Sequence, residues 1–302
     1  MPSDKKSYMK LLGHLGAILV MVAWGSSFIC TKVLMLDGGF TPVECYTYRF
    51  AAAYLILLLF TFKKIRSNNW HDELMFLVCG VCAGSLYFIL ENYALKYTTT
   101  ANVSLLASIS PIFTTLLVAF FFKVRIGAGT AIGSLVAAAG VACVVFSHGE
   151  GLEIHPKGDI IALCAAVSWA VYSIVAKQLI PHYDSFFMSR KIFFYGVLTS
   201  LPLLIFQQEP LHVGALWDFA HPQVLMNFLF LVLFCSLAAY IVWNEAMKIL
   251  GPITSNNYLY LQPLVTMVVG YIVLGEKIFM LGYIGCVLII GGLVIADKLK
   301  LK

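Results

Sequence analysis

The chain has 302 residues, of which 61% are hydrophobic and 12% charged, against roughly 45–50% and 25% in an average soluble domain. Its mean hydropathy of +0.89 leaves too little polar surface to wrap a globule of this size, so the apolar excess must face lipid. The net charge of +5, from 20 basic and 15 acidic residues, is modest and is not gathered on one hydrated face, which argues against nucleic-acid binding.

At the N-terminus Lys5, Lys6 and Lys10 precede an apolar run that reaches Leu36 without a small-x-small cleavage site. That run is too long for a signal peptide and reads as a retained first helix. A bilayer core takes about 20 apolar residues per helix. Scanning at that length predicts ten segments, at about 12–35, 43–62, 74–96, 99–122, 127–147, 158–180, 186–206, 223–249, 253–274 and 278–297. The runs are continuous rather than alternating, which excludes a membrane barrel. The expected fold is all-α and integral to the membrane, with ten transmembrane helices.

With the N-terminus inside, 15 of the 20 Lys and Arg residues fall on the inner side, as the positive-inside rule requires. Both termini are therefore expected in the cytoplasm, with the chain in the inner or plasma membrane of the cell and the 148–157 loop outside. The eight cysteines lie almost entirely in or beside apolar runs. Cys79-Gly-Val-Cys82 has zinc-like spacing but no second pair or nearby His, so thiols packed between helices are expected and no metal.

An internal repeat organises the chain. A shift of 152 aligns residues 92–140 with 244–292, with nine identities in 49 pairs that include Asn92/Asn244, Pro111/Pro263, Thr114/Thr266 and Gly140/Gly292. A shift of 145 aligns 13–32 with 158–177, pairing Trp24 with Trp169 and Lys32 with Lys177. Two repeats follow, 1–147 and 148–302, each of five expected helices. An odd number makes the second copy enter the membrane upside down. Inverted repeats are the build of many secondary transporters, which bind substrate near midplane between the halves and exchange access between two related conformations.

Asn92-Tyr-Ala-Leu-Lys-Tyr-Thr-Thr-Thr-Ala-Asn102 followed by Ser110-Pro111-Ile-Phe resembles the signature of EamA-type members of the drug/metabolite transporter superfamily. In the second half, Gly251-Pro-Ile-Thr-Ser-Asn-Asn257, Gln262-Pro263-Leu and Leu274-Gly-Glu-Lys277 resemble it more closely. Trp24-Gly25-Ser26 and Ser168-Trp169-Ala170 also fit the family habit. The resemblance covers about residues 12–297 and implies a ten-helix carrier of small metabolites, commonly amino acids or related compounds. One departure is that Gly275-Glu276 corresponds to Lys123-Val124 in the first half, so no role for that Glu carries into both copies.

Helices 4 and 9 carry a matched stripe. Ser104, Ser108, Pro111 and Thr115 share one face, and their repeat mates are Asn256, Tyr260, Pro263 and Met267. Polar groups at membrane depth normally face a cavity or another helix. For Ser104, Ser108 and Thr115, bonding to their own backbone or close helix approach is the favoured reading. The bulkier Asn256 and Tyr260 point to the cavity. Pro111 and Pro263 each remove a backbone donor and are expected to kink their helices. Trp24 and Trp169, with Ser27 and Tyr172 one turn on, occupy one repeat position away from the helix ends. They read as cavity walls, with plain packing as the alternative.

Glu91, with Tyr87 one turn before it, is a carboxylate well inside a predicted helix. It is a candidate proton carrier or counter-ion; the alternatives are a structural pair with Arg49 or Lys96, or a side chain reaching the outer interface. Glycines 129, 133 and 140 of helix 5 and 282, 285 and 292 of helix 10 read as packing seams, with a homodimer as one use of them.

All seven histidines fall in loops or at helix starts, no Asp lies mid-membrane, and no Walker-type loop is present. No catalytic residue, metal or cofactor is therefore assigned. The expected activity is secondary transport of small metabolites, with export the favoured direction and a small-molecule substrate, the bilayer and a coupling proton as partners. A membrane-embedded lipid-modifying enzyme is the second reading and a channel the third.

Overall fold

A computed structural model describes residues 3–62, 65–98, 100–123, 125–146, 155–218, 220–269, 271–272 and 280–298. The expected outer loop 148–157 lies mostly outside the described residues, as does the Gly275-Glu276-Lys277 motif. All regular structure among the described residues is helical.

The first half begins with α1 (Ser3–Leu36) and α2 (Pro42–Thr61). Thr41 opens α2 through a capping box. The Glu44 N–H donates to its hydroxyl at 3.2 Å, and the Glu44 carboxylate accepts from the Thr41 N–H at 2.9 Å. Next come α3 (Trp70–Gly80) and α4 (Leu86–Tyr97), joined by a π-helical segment at Val81–Ser85 in which Gly84 leaves helical geometry. The half ends with α5 (Thr100–Ala107), α6 (Ser110–Phe122) and α7 (Ala128–Phe146).

The second half runs through α8 (Pro156–Leu179) and α9 (Ser185–Ile205). After a short 3-10 turn at Val213–Trp217 come α10 (Pro222–Phe230) and α11 (Ala239–Leu250), joined by a second π-helical segment at Leu231–Ala238. The half closes with α12 (Pro252–Asn257), a 3-10 segment at Tyr258–Leu261, α13 (Gln262–Val269) and α14 (Met280–Lys298).

Among the described residues, seven helical stretches are long and apolar enough to cross a membrane, and Ala128–Val144 and Met280–Ala296 are shorter apolar helices. Large apolar side chains such as Leu59, Phe120, Leu135, Ile205 and Val287 remain exposed, which suits a lipid-facing surface. The expected segments 99–122 and 253–274 are broken rather than bent. Each break lies just before the repeat-paired proline, and Pro111 occupies the first turn of α6. Proline is tolerated there because its missing N–H would have had no intrahelical partner.

The small-residue seams meet each other. A Cβ added at Gly133 would lie 2.5 Å from the Ala296 nitrogen and the Gly292 carbonyl, and one at Gly140 would lie 2.7 Å from the Ile289 nitrogen. The seam is therefore used by α7 against α14 within one chain.

Candidate functional site

Trp24 of α1 and Trp169 of α8 meet edge to face, with ring centroids 5.2 Å apart and planes at 87°. Trp243 and Tyr240 of α11 stand 5.2 and 5.6 Å from Trp24, and Tyr87 and Tyr172 each stand 5.1 Å from Trp169. Such offset and edge-on contacts follow the aromatic quadrupole and hold the rings in fixed orientations. Both indole N–H groups are committed. Trp24 donates to the Cys235 carbonyl at 2.9 Å and Trp169 to the Asn256 Oδ1 at 3.0 Å.

The Cys235 carbonyl belongs to the Leu231–Ala238 π segment. In the first half, Ser168 donates to the Cys82 carbonyl at 2.7 Å and Tyr240 to the Ala83 carbonyl at 2.5 Å, both within Val81–Ser85. The extra residue of a π turn leaves a carbonyl without its usual helical donor. Here side chains of the neighbouring helices meet that need in both halves. The shift of 152 found in the sequence carries Val81–Ser85 onto 233–237, so the two π segments are repeat mates.

A small pocket opens beside the tryptophans, lined by Trp24, Ser27, Tyr87, Phe88, Glu91, Trp169, Leu259 and Gln262. Five of the sequence-derived residues thus share one space: Trp24, Ser27, Tyr87, Glu91 and Trp169. Glu91 is only 6% exposed, and its Oε2 has no hydrogen-bond partner among the described residues. Lys96 approaches Glu209 at 3.8 Å rather than Glu91. Arg49, 3% exposed, projects from α2 and donates from Nε to the Ser236 hydroxyl at 2.5 Å. No ion pair joins Arg49 to Glu91 among the described residues, although the guanidinium lies within the carboxylate's electrostatic field. The structural pairs expected for Glu91 are therefore not formed.

Other expected residues stand one layer back. Asn256 is fully buried, accepts from Trp169, and donates to Ser173 at 3.1 Å and the Pro252 carbonyl at 2.8 Å. Tyr172 donates to the Asn244 Oδ1 at 3.0 Å. Ser108 bonds its own helix, donating to the Ser104 carbonyl at 2.7 Å, while the buried Ser104 hydroxyl has no partner among the described residues. Tyr260 is the misplacement. It packs with Ala137, Val141, Val144, Met267 and Ile289 beside the α7–α14 seam. The 3-10 segment Tyr258–Leu261 advances the chain by more than the α-helical angle per residue, so Tyr260 leaves the face it would share with Asn256 in a continuous helix.

Sequence reasoning missed Phe88, Leu259 and Gln262 in the pocket and left Arg49 as no more than a partner for Glu91. Gln262 stands in the Gln-Pro motif, and Arg49 lies within a long apolar run; each was a usable signal. Polar clusters bound the helix bundle at two ends. At one, Glu44 accepts from the His212 N–H at 2.6 Å and from the Tyr48 hydroxyl at 3.1 Å. At the other, Glu73 pairs with Lys191 and accepts from the Tyr195 hydroxyl at 2.5 Å. Among the described residues, no group of three His, Cys, Asp or Glu side chains is placed to hold a metal ion.

Comparison with known proteins agrees with this architecture. An uncharacterized transporter of Clostridium kluyveri is 26% identical over 292 residues, covering 94% of this chain and 92% of its own. A probable terminal-alkyne amino-acid exporter of Streptantibioticus cattleyicolor is 27% identical over 281 residues, covering 93% and 92%. A solved crystal structure has the same fold, with a TM-score of 0.73 at 20% identity over 96% of both chains. The EamA-like transporter family matches twice, at residues 11–146 and 156–296. A chain built from two such copies, with its repeat-paired tryptophans meeting beside one pocket, belongs to that family.

Proposed function

We propose that this protein is a secondary transporter that exports amino acids or related small metabolites by alternating access, and that it is not an enzyme. The observation that carries this reading is the pocket itself. Trp24, Tyr87 and Glu91 come from the first half and Trp169, Leu259 and Gln262 from the second, so any motion of one half against the other opens or closes it. The relative named as an amino-acid exporter supports the cargo class and the direction.

The proposed topology is ten crossings in two inverted five-helix repeats, 1–147 and 148–302, with both termini cytoplasmic. Two contacts support the inversion. Thr98, just past α4, bonds Asp159 at the start of α8 at 3.0 Å. Lys177, near the end of α8, lies 3.8 Å over the Phe122 ring at the end of α6. Thus α8 starts at the end of the bundle where α1 finishes. The basic residues set the orientation by the positive-inside rule.

The test is flux in proteoliposomes loaded with amino acids, amines or organic acids, with and without a pH gradient. Saturable flux of one class, weakened by Trp169→Ala while the protein stays folded, is the expected result. Turnover of a lipid without translocation, or single-channel currents, would overturn the proposal.

A further inference from the structure

Arg49 lies outside the pocket lining, yet its surroundings are hard to explain as packing. A guanidinium offers five N–H donors. Here Nε is used on Ser236 at 2.5 Å, and Nη2 has no hydrogen-bond partner among the described residues. The group stands 5.1 Å from the Phe50 ring centroid and 5.2 Å from that of Phe88. Two aromatic faces and one hydroxyl fix it in place and still leave donor capacity open. Phe88 lines the pocket, and so does Glu91, whose Oε2 is likewise unpartnered.

A buried guanidinium and a buried carboxyl that do not close on each other leave polar atoms unmet at membrane depth, which is costly. The cost is offset when a ligand supplies both missing partners. A cation alone would satisfy Glu91 and leave Arg49 bare; an anion alone would do the reverse. A zwitterion satisfies both and adds no net charge to the site.

We infer that Arg49 is a specificity residue that binds the carboxylate of a zwitterionic α-amino acid while Glu91 binds its ammonium group. The planar fork of an arginine suits a carboxylate, and the faces of Trp24, Tyr87 and Trp169 suit an ammonium and an apolar side chain. This assignment rests on the transporter reading only for its biological use; the binding site itself can be tested apart from flux.

The experiment is equilibrium binding to the purified full-length protein in detergent. The probes are the hydrophobic L-α-amino acids, their amides, which lack the carboxylate, and their deaminated acids, which lack the ammonium. The expected result is that an amino acid binds roughly tenfold or more tightly than either single-charge analogue. Arg49→Lys, which keeps the charge and loses the fork, should erase the preference for the amino acid over its amide. Glu91→Gln should erase the preference over the deaminated acid. Should either variant fail to fold, the wild-type probe series still decides. Amides or deaminated acids binding as tightly as the amino acids, or no amino acid binding at all, would overturn the inference. Flux of amines without zwitterion binding would sink this assignment and leave the transporter reading standing. Zwitterion binding without flux would do the opposite.

Discussion

The α7–α14 seam and the Trp24–Trp169 pocket both join the two halves of the chain, yet they are built from opposite materials. In the seam, small residues bring backbones so close that added Cβ atoms at Gly133 and Gly292 would lie 2.5 Å from main-chain atoms. At the pocket, large rings meet at 5.1–5.2 Å, and polar atoms of Glu91 and, beyond the lining, Arg49 lack partners among the described residues. Close backbone contact over many residues resists sliding, because a packed interior has no slack to absorb a shift. A ring cluster with open polar valences can repack around a ligand. The seam therefore holds the halves together, and the pocket is where the proposed response to cargo would take place.

The largest expected effect comes from filling the seam. Gly140→Leu should destabilise the folded protein by about 3 kcal/mol through overpacking, read as a lower melting temperature in detergent. Gly291, in the same helix as Gly292 but with no atom within 4 Å of an added Cβ, is the control. There Gly291→Ala should leave stability unchanged or raise it by up to about 1 kcal/mol through helix propensity. Equal losses at both positions would show that the seam has no special role.

Next is Asn256→Ala, which strips Trp169 and Ser173 of their buried partner. A loss of about 2 kcal/mol is expected, the usual cost of stranding buried polar groups, together with weaker substrate binding because Trp169 loses its fixed orientation. Stability lost with affinity intact would place Asn256 in the scaffold alone. Ser108→Ala is smaller still. Its hydroxyl bonds its own helix at 2.7 Å, so a change within about 0.5 kcal/mol is expected, and flux should be normal.

The smallest effect lies at the bundle surface. The hydrogen bond from His221, helped by the Ala220 N–H, holds Asp218 below the usual carboxylate range, and the same bond raises His221. The Asp218 contribution is present above its unfolded value and fades as pH falls through the folded one. The His221 contribution is complete below the unfolded imidazole value and fades as pH rises through the folded one. Asp218→Asn should therefore lower the His221 titration midpoint measured by NMR; an unmoved midpoint would show that the bond is not kept in solution.

The contrast between seam and pocket also shows what the sequence could convey. Glycines at matched spacing and the Trp24/Trp169 pair were legible because they mark one repeat position twice. The interior of each break was not. In Val-Cys-Ala-Gly-Ser at 81–85 the Gly84-Ser85 pair permits a kink, but no residue there specifies a π segment. Tyr260 was assigned by α-helical spacing from Asn256, and the 3-10 turn between them rotated it toward Val141 and Ile289. Arg49 was visible as a charge in an apolar run. Its open Nη2, however, depends on where Ser236 and Phe88 lie in space, and spacing along the chain carries no such information.

The central claim is that one pocket between the halves is reached in turn from the two sides of the membrane. Ser27 lines that pocket and is small enough to replace, so Ser27→Cys in a cysteine-free background is the direct probe. Membrane-impermeant thiol reagents should modify it from either side of oriented vesicles, and substrate should protect it from both. Reaction from one side only, under every substrate and gradient condition, would contradict the account.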